Sequence, residues 1–442
     1  MSKPDFTAVR GKRLLIALSG GADSVALTLM LCEARAAMDL TLHAAHLDHG
    51  IRPESAGDAA WCADLCARLG IPFHTARLDV PAEAARAGEG LESAARRLRH
   101  AWLERVRRET GADYIALAHH MDDQAETVLM HLARGAGPEG AGGMAVLSGA
   151  LYRPLLGLRR AELRAYLAAR DQSWREDSSN ALDDTPRNAL RLHGIPALEQ
   201  SYPQAVSALA RFAESSRIES DFVARATDAF LRENLSAGPY GRFLRASGDT
   251  ERAILRRALR HVCGPALDFK KLGEIETLCG APGRRVSVFK DLVAEGARTG
   301  IYFLPGGRPA IPDAPLSLNG ESALPGVCRV TASPGPAVPI RDDRLRQALH
   351  RASLEGAVLR RRRDGDVFRP LGGGEKLLSD YFTDRKVDRP LRDFIALAAR
   401  ENRVLWVLGM DIAEEVRLRG PDDDAVILAC EYDYPNAPGM NK

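Results

Sequence analysis

Six consecutive residues, Ser19-Gly20-Gly21-Ala22-Asp23-Ser24, carry two hydroxyls, two glycines and a carboxylate between an apolar run at 14–18 and an apolar helical stretch at 25–32. A buried strand, a glycine turn and a helix start make an anion cradle, because free backbone N–H groups and the positive helix end both face the turn. Gly20 and Gly21 allow close backbone approach to a ligand and conformations closed to other residues. Ser19 and Ser24 add hydroxyl donors. Asp23 is out of place beside phosphate unless a metal ion stands between them. No Lys follows the glycines, so the G-x-x-x-x-G-K-[ST] phosphate loop is excluded.

A second group, His119-His120-Met121-Asp122-Asp123-Gln124-Ala125-Glu126-Thr127, opens a helix after another apolar run. Asp123 and Glu126, three apart, have the form of a capping box. Capping does not account for two histidines at a strand exit. If the strand order brings this turn beside the first loop, Asp123 and Asp23 could share a Mg²⁺ on a triphosphate, with His119 near the reacting phosphate. Arg96 and Arg99 lie three apart on one helix face, where guanidinium groups suit a phosphate of ATP or RNA as well as a surface salt bridge. Glu176-Asp177-Ser178-Ser179-Asn180 is rich in turn and cap residues, and Arg187-Asn188-Ala189-Leu190-Arg191 places two arginines four apart at a new helix start.

These residues need a frame. Up to about residue 200 the text alternates: strands at 14–18, 40–47, 73–78 and 114–118, and helices at 24–35, 58–69, 91–110 and 123–134 with Gly135 just past the last. Such alternation predicts an α/β fold, a doubly wound parallel sheet with ligands at the carboxyl ends of its strands. Ser19, Asp48 and His119 all lie just past strand ends. From 202 to about 279 the text is helical, 305–340 is dense in Pro and Gly, and the remainder carries β-rich text around a basic segment. The expected domains are 1–205, a catalytic unit; 206–340, mostly helical with a Pro/Gly-rich connection; and 341–442, a small α+β unit.

At 442 residues the chain can build several cores, and 45% hydrophobic with 27% charged residues fits a globular protein. A net charge of +2 does not by itself argue for nucleic acid, although Arg360–Arg363 is a local basic run. Seven cysteines show no paired framework, and Cys62 and Cys66 have no companion metal-ligand pair. The apolar run after the basic N-terminus is too short for a signal peptide, and no segment reaches the ~20 apolar residues of a membrane helix. A cytoplasmic location with no membrane association is expected.

The loop resembles the S-G-G-x-D-S loop of enzymes that cleave ATP between its α and β phosphates. Segment by segment, the chain resembles the tRNA(Ile)-lysidine synthetase family. Asp48-His49-Gly50-Ile51-Arg52, followed by Glu54-Ser55, matches D-H-G-[LI]-R. Ala95-Arg96-Arg97-Leu98-Arg99-His100 matches A-R-x-x-R-Y, with His100 for the aromatic. His119–Thr127 matches H-H-x-x-D-x-x-E-T, and Arg153-Pro154-Leu155-Leu156 matches R-P-L-L. Glu176–Asn180 with Arg187, Asn188 and Arg191 matches E-D-x-[ST]-N…R-N-x-x-R, with Thr185 where an aromatic is usual. Gly365–Pro370, 376–389 around Tyr381-Phe382, and 404–409 look like the family's C-terminal tRNA-binding domain, and 250–282 faintly like its middle helical domain.

The resemblance implies ATP and Mg²⁺ as cofactors, and as partners an isoleucine tRNA with a CAU anticodon and free L-lysine; a homodimer is a further expectation. The wobble cytidine is adenylated at carbon 2, lysine displaces AMP, and codon reading changes from AUG to AUA. It assigns catalysis to Asp23, Asp123, His119 and Arg96, and ATP binding to Ser19, Gly20, Gly21, Ala22, Asp23 and Ser24. Arg99, Arg187, Asn188, Arg191, Arg361 and Arg362 would hold tRNA or substrate, with Asp23 and Asp123 on the metal. Thiolases sharing the loop need a sulfur-carrying cysteine or a C-x-x-C, and Cys62-x-x-x-Cys66 has the wrong spacing. A catalytically silent RNA-binding protein would have no need of Asp23, Asp123 and Arg187 together.

Overall fold

Apolar residues at alternate positions of the first two strands divide between two layers. The computed structural model describes residues 4–48, 55–176, 185–238, 241–307 and 311–433, and the chain divides into two compact units, 1–222 and 223–442. In the first unit β1 (Arg13–Ala17), α1 (Ala22–Ala34), β2 (Thr41–Asp48), α2 (Ser55–Leu69), β3 (Phe73–Arg77), α3 (Val80–Ala87), α4 (Leu91–Glu109), β4 (Tyr114–Ala116) and α5 (Met121–Ala133) follow one another. Then come α6 (Pro138–Ala141), the short β5 (Leu147–Ser148) and β6 (Leu151–Tyr152), α7 (Arg160–Ala168), α8 (Pro186–Ala189), α9 (Ile195–Ser201) and α10 (Ala205–Asn234), within which the division falls.

The sheet order is β3-β2-β1-β4-β6-β5, parallel except for the β5–β6 pair. Leu14, Ile16, Leu42 and Ala44 pack on one side with α1, α2 and α7, through Leu27, Leu31, Cys62, Leu65, Leu163 and Leu167. Leu15, Ala45 and Leu47 pack on the other with Trp102, Leu103 and Val106 of α4. A strand's period of two gives each sheet face its own apolar set, and a right-handed crossover needs helices on both faces. The chain winds outward from β1 through β2 to β3, then returns to β4 on the other side of β1. The switch point therefore lies at the carboxyl ends of β1 and β4, where a doubly wound sheet opens its ligand crevice.

The second unit continues with β7 (Leu235–Gly238), β8 (Gly241–Arg245), α11 (Arg252–Cys263), α12 (Phe269–Glu276), β9 (Arg285–Phe289), β10 (Leu292–Gly296) and β11 (Gly300–Pro305). These five strands form an antiparallel sheet, order β7-β8-β11-β10-β9, packed on Leu255, Leu259 and Leu272 of the two helices. The stretch expected to be mostly helical thus also holds a sheet. Further on lie β12 (Ala314–Pro315), β13 (Gly320–Leu324), β14 (Cys328–Pro334), β15 (Arg346–His350), β16 (Val358–Arg360), β17 (Val367–Phe368), β18 (Lys376–Leu377), α13 (Leu378–Asp384), α14 (Arg389–Arg392), β19 (Leu397–Arg400), β20 (Arg403–Val407) and β21 (Ala425–Tyr432). They make two sheets, β12-β16-β19-β20-β17-β18 and β13-β14-β21-β15, over a shared core around Trp406, Phe368 and Phe382. Because β14 pairs with β21 from Cys328↔Tyr432 to Pro334↔Val426, the boundary expected at 340 falls inside one sheet. Of the prolines that suggested a linker, Pro305, Pro315 and Pro334 stand at strand ends, where a missing N–H breaks no ladder. No helix among the described residues is long and apolar enough to cross a membrane.

Candidate active site

The loop after β1 is held open from beneath. Gly20 has φ +89°, a conformation that L side chains rarely adopt, and Gly21 at φ −70°, ψ 160° enters α1 as its N-cap. Ser24 Oγ donates to Gly21 O at 2.9 Å and accepts from Ser19 N–H at 3.2 Å, with Ser19 Oγ 3.1 Å away. His46 Nδ1 donates to Leu18 O at 2.9 Å, and the main-chain N–H of Arg175 donates to Gly20 O at 2.9 Å. The carbonyls are thus drawn into the protein, while the first amides of α1 have no acceptor within the helix and open onto the crevice.

Across the crevice, β4 delivers His119 and His120 to the start of α5. His120 is the N-cap, its N–H donating to Asp123 Oδ2 at 3.0 Å, so the reciprocal box is His120–Asp123, one turn before the expected Asp123–Glu126. The buried His120 ring stands between three carboxylates: Nε2 is 3.6 Å from Asp23 Oδ2 and 3.4 Å from Asp123 Oδ2, and Nδ1 is 3.5 Å from Asp122 Oδ2. Burial works against its charge, but Asp122, Asp23 and Asp123 outweigh it and hold its pKa at about 9. The same contacts, with hydrogen bonds from Arg159 and the Arg160 N–H, overcome burial and keep the Asp122 carboxyl well below the usual range.

Asp123 and Glu126 meet two arginines. Arg187 donates to Glu126 Oε2 at 2.7 Å and to Asp123 Oδ1 at 3.1 Å; Arg191 donates to Glu126 Oε1 at 2.7 Å, Glu126 Oε2 at 3.0 Å and Asp123 Oδ1 at 3.1 Å. Two carboxylates and two guanidinium groups close into a neutral quartet. Arg187 and Arg191, expected to receive phosphate or a base edge, are engaged here by carboxylates. Asn188 N–H donates to Thr185 Oγ1 at 3.2 Å, so Thr185, in place of the aromatic, caps α8. His49–Glu54 and Asp177–Asn180 of the sequence motifs lie outside the described residues.

The arginine-rich face of α4 sorts itself by partner. Arg97 pairs with Glu89, Arg105 with Glu109, and Arg107 and Arg108 with Glu104. Among the described residues, Arg96 and Arg99 have no carboxylate partner. Close packing of protein around Arg99, then Arg96 and Arg187, lower its affinity for a proton although its side chain reaches solvent. Half-buried Arg153 shifts the same way through burial and Arg96. His100, within the same group, is pushed down by burial and by Arg99, Arg96 and Arg153. Burial also drives His119 down to about 4, with Arg153, Arg187 and Arg99 overriding the pull of Asp123. Arg96, Arg99 and Arg153 thus gather like charges in one place, a local field that attracts anions.

The expectation that Asp23 and Asp123 share a divalent cation meets a different arrangement. The ring of His120 stands between them, and Asp123 already has His120, Arg187 and Arg191 around it. Asp23 Oδ1, in contrast, is a buried carboxylate oxygen with no hydrogen-bond partner among the described residues, as suits a cation ligand, although no group of three or more such ligands forms among them. Roles not anticipated from sequence are those of His120, Glu126 as an arginine acceptor, Arg153 and Arg175; the first three stood inside sequence motifs, and Arg175 stood in none. An apolar cleft of about 530 Å³ at the far end of α1 holds no unmet polar group, since its Glu33 accepts from Tyr166 and Arg170.

Comparison with known proteins bears on this arrangement. Residues 3–198 match the PP-loop domain family and residues 357–427 the TilS substrate C-terminal domain. A tRNA(Ile)-lysidine synthase of Thermus thermophilus is 38% identical over 405 residues, covering 90% of this chain and 69% of that protein. One of Symbiobacterium thermophilum is 35% identical over 441 residues, 90% of each chain. One of Aromatoleum aromaticum is 32% identical over 426 residues, 94% of this chain and 97% of the other.

Proposed function

This chain belongs to the tRNA(Ile)-lysidine synthase family, and we propose that it joins the ε-amine of free L-lysine to carbon 2 of the wobble cytidine in a CAU-anticodon isoleucine tRNA, changing its reading from AUG to AUA. In the first step the cytidine O2 attacks the α-phosphate of ATP and pyrophosphate leaves. In the second the lysine amine attacks C2, loses a proton, and the former O2 departs with AMP. The observation that carries this reading is the meeting, at one switch point, of the Ser19–Ser24 amides with the cationic crevice of Arg96, Arg99 and Arg153.

The loop amides with Ser19 and Ser24 bind the phosphates to be released, and Arg96 and Arg99 hold the polyanion that must approach them. His119, neutral above about pH 4, offers an uncharged ring at the reacting phosphate. Mg²⁺ fits at Asp23, through its unpartnered Oδ1, and would supply charge neutralisation of the leaving pyrophosphate. Asp123 acts by fixing His120 beside Asp23 and by seating Arg187 and Arg191, which with Asn188 border the substrate side.

The C-terminal part supplies tRNA affinity without chemistry. Of the run 360–363, Arg360 is an inward structural group, 1% exposed and bonded to Asp366 at 2.9 and 2.8 Å. Arg361 stacks on Phe394 and Arg362 pairs with Asp393 at 2.7 Å. The proton affinity of Arg392 is lowered by burial and by Arg362, Arg389 and Arg298 against the opposing pull of Asp388, and this excess of arginines suits a phosphate backbone. The test is incubation of the protein with ATP, Mg²⁺, labelled lysine and isoleucine tRNA transcripts bearing CAU or another anticodon. Lysine should enter only the CAU transcript, with AMP and pyrophosphate released; release of ADP, or incorporation of sulfur when a donor is supplied, refutes the reading.

A further inference from the structure

Arg175 precedes a motif and belongs to none, yet it touches the phosphate-binding loop twice. Its N–H donates to Gly20 O at 2.9 Å, and its Cβ and Cγ lie 3.7 and 3.6 Å from where a β-carbon on Gly20 would stand. Its Nε donates to Asp58 Oδ1 at 2.7 Å, which ties it to α2, the helix whose Cys62 Sγ lies 3.3 Å from that same point. Trp174, the preceding residue, packs into the apolar cluster that contains Cys62. No helix or strand holds residues 172–176, so the direction of the Arg175 N–H depends on these two side chains.

We infer that Arg175, anchored by Asp58, is a positioning residue that sets the orientation of the Gly20 peptide and thereby the loop's affinity for the phosphates of ATP. A trans peptide points its C=O and N–H in opposite directions. Drawing Gly20 O onto Arg175 therefore turns the Gly21 N–H toward the opposite side, where it meets Ser19 Oγ at 3.3 Å. Gly20 at φ +89° can rotate at little cost because it lacks a β-carbon, so an outside brace must choose its orientation. The Arg175–Asp58 pair spans 45% and 17% exposed side chains, which makes it a modest interaction whose loss does not unfold a domain. The inference rests on the loop being the ATP site.

The test uses the full chain with Arg175→Met, which keeps the packing against Gly20, Asp58→Asn, the double variant, and Arg175→Lys. The Kd of a non-hydrolysable ATP analogue is measured by calorimetry, and KM for ATP, lysine and tRNA separately. Each single variant should raise the analogue's Kd about two- to fivefold, as expected for a partly exposed pair. The double variant should be no weaker than the weaker single, and lysine at 175 should restore part of the affinity. KM for ATP should move more than kcat, with KM for lysine and tRNA unmoved. An unchanged Kd, additive losses, or equal weakening of every substrate would overturn the brace. Wild-type protein that binds no analogue would instead overturn the loop's assignment, and the inference with it.

Discussion

Glu126→Gln is the sharpest probe of the quartet at the start of α5. Glu126 is 1% exposed and accepts three hydrogen bonds, two from Arg191 and one from Arg187. Removing one partner of a buried ion pair costs ~3–5 kcal/mol, because the remaining charge is stranded. Two features reduce that figure. The arginine side chains are 28% and 22% exposed, and both keep Asp123. Glutamine preserves the shape and one acceptor oxygen but turns an amide donor toward guanidinium donors. A local loss of about 2–3 kcal/mol follows. Hydrogen exchange on peptides covering α5 and α8 reads such a local opening, and that loss corresponds to roughly 30- to 150-fold faster exchange. Acceleration below about fivefold, the scale of a solvent-exposed pair, would refute the quartet as a buried electrostatic unit.

Gly20→Ala should weaken binding of an ATP analogue at least tenfold with the fold intact, because φ +89° is strained for alanine and its β-carbon meets Cys62 Sγ at 3.3 Å; Cys62→Ala should rescue only the contact, and full recovery would show that backbone strain is unimportant. His120 has its pKa raised from 6.5 to about 9, so its contribution to stability is fully present below pH 6.5 and is lost as pH rises through 9. That contribution is about 3 kcal/mol, and the gap in urea stability between wild type and His120→Gln should shrink between pH 6.5 and pH 9.5; a constant gap would mean the ring is uncharged. Arg389→Glu should lower tRNA affinity and reduce its salt dependence, whereas Arg360→Ala, losing a buried partner of Asp366, should be seen first as destabilisation of the C-terminal part. Equal tRNA affinity for wild type and Arg389→Glu at low salt would remove that cluster from the interface.

The first unit's frame was legible where strands are apolar runs, as β1 and β2 are, and where helices meet a glycine, as α1 does at Gly21 and α4 at Gly90; the two-residue β5 and β6 carry no such run. The sequence concealed the sheet of β7–β11, although β11 carries the apolar run 301–304, because the neighbouring strands are broken by polar residues: β10 contains Glu295, 2% exposed and paired with Arg285 of β9. Cross-strand ion pairs satisfy a buried carboxylate that a linear reading takes for a surface residue. Arg360 misled for the same reason, since a run of four arginines reads as one solvated face while the first of them closes on Asp366 inside the core. Arg175 has no spacing to announce it; only the chain's return to Gly20 gives it a role.

The dipeptide His119-His120 shows what spacing cannot convey and three dimensions can. Both residues follow β4, His120 on extended backbone at φ −118°, ψ −178°, a conformation in which neighbouring side chains point to opposite sides. One ring enters the group of Asp23, Asp122 and Asp123 and is held charged to about pH 9; the other is kept neutral above about pH 4, first by burial, with Arg153, Arg187 and Arg99 acting against the pull of Asp123. Identical residues one peptide apart thus hold different charge states, one ring set among three carboxylates and the other buried near arginines. The proposed ligation, which would bring ATP and tRNA to an amine, is served by such a difference: the arginines would hold phosphates while the carboxylates would tolerate positive charge. The consequences of mutation should separate in the same way: under the proposed function charge lost at Arg99 should weaken polyanion capture, whereas charge lost at Asp123 should loosen His120, Arg187 and Arg191.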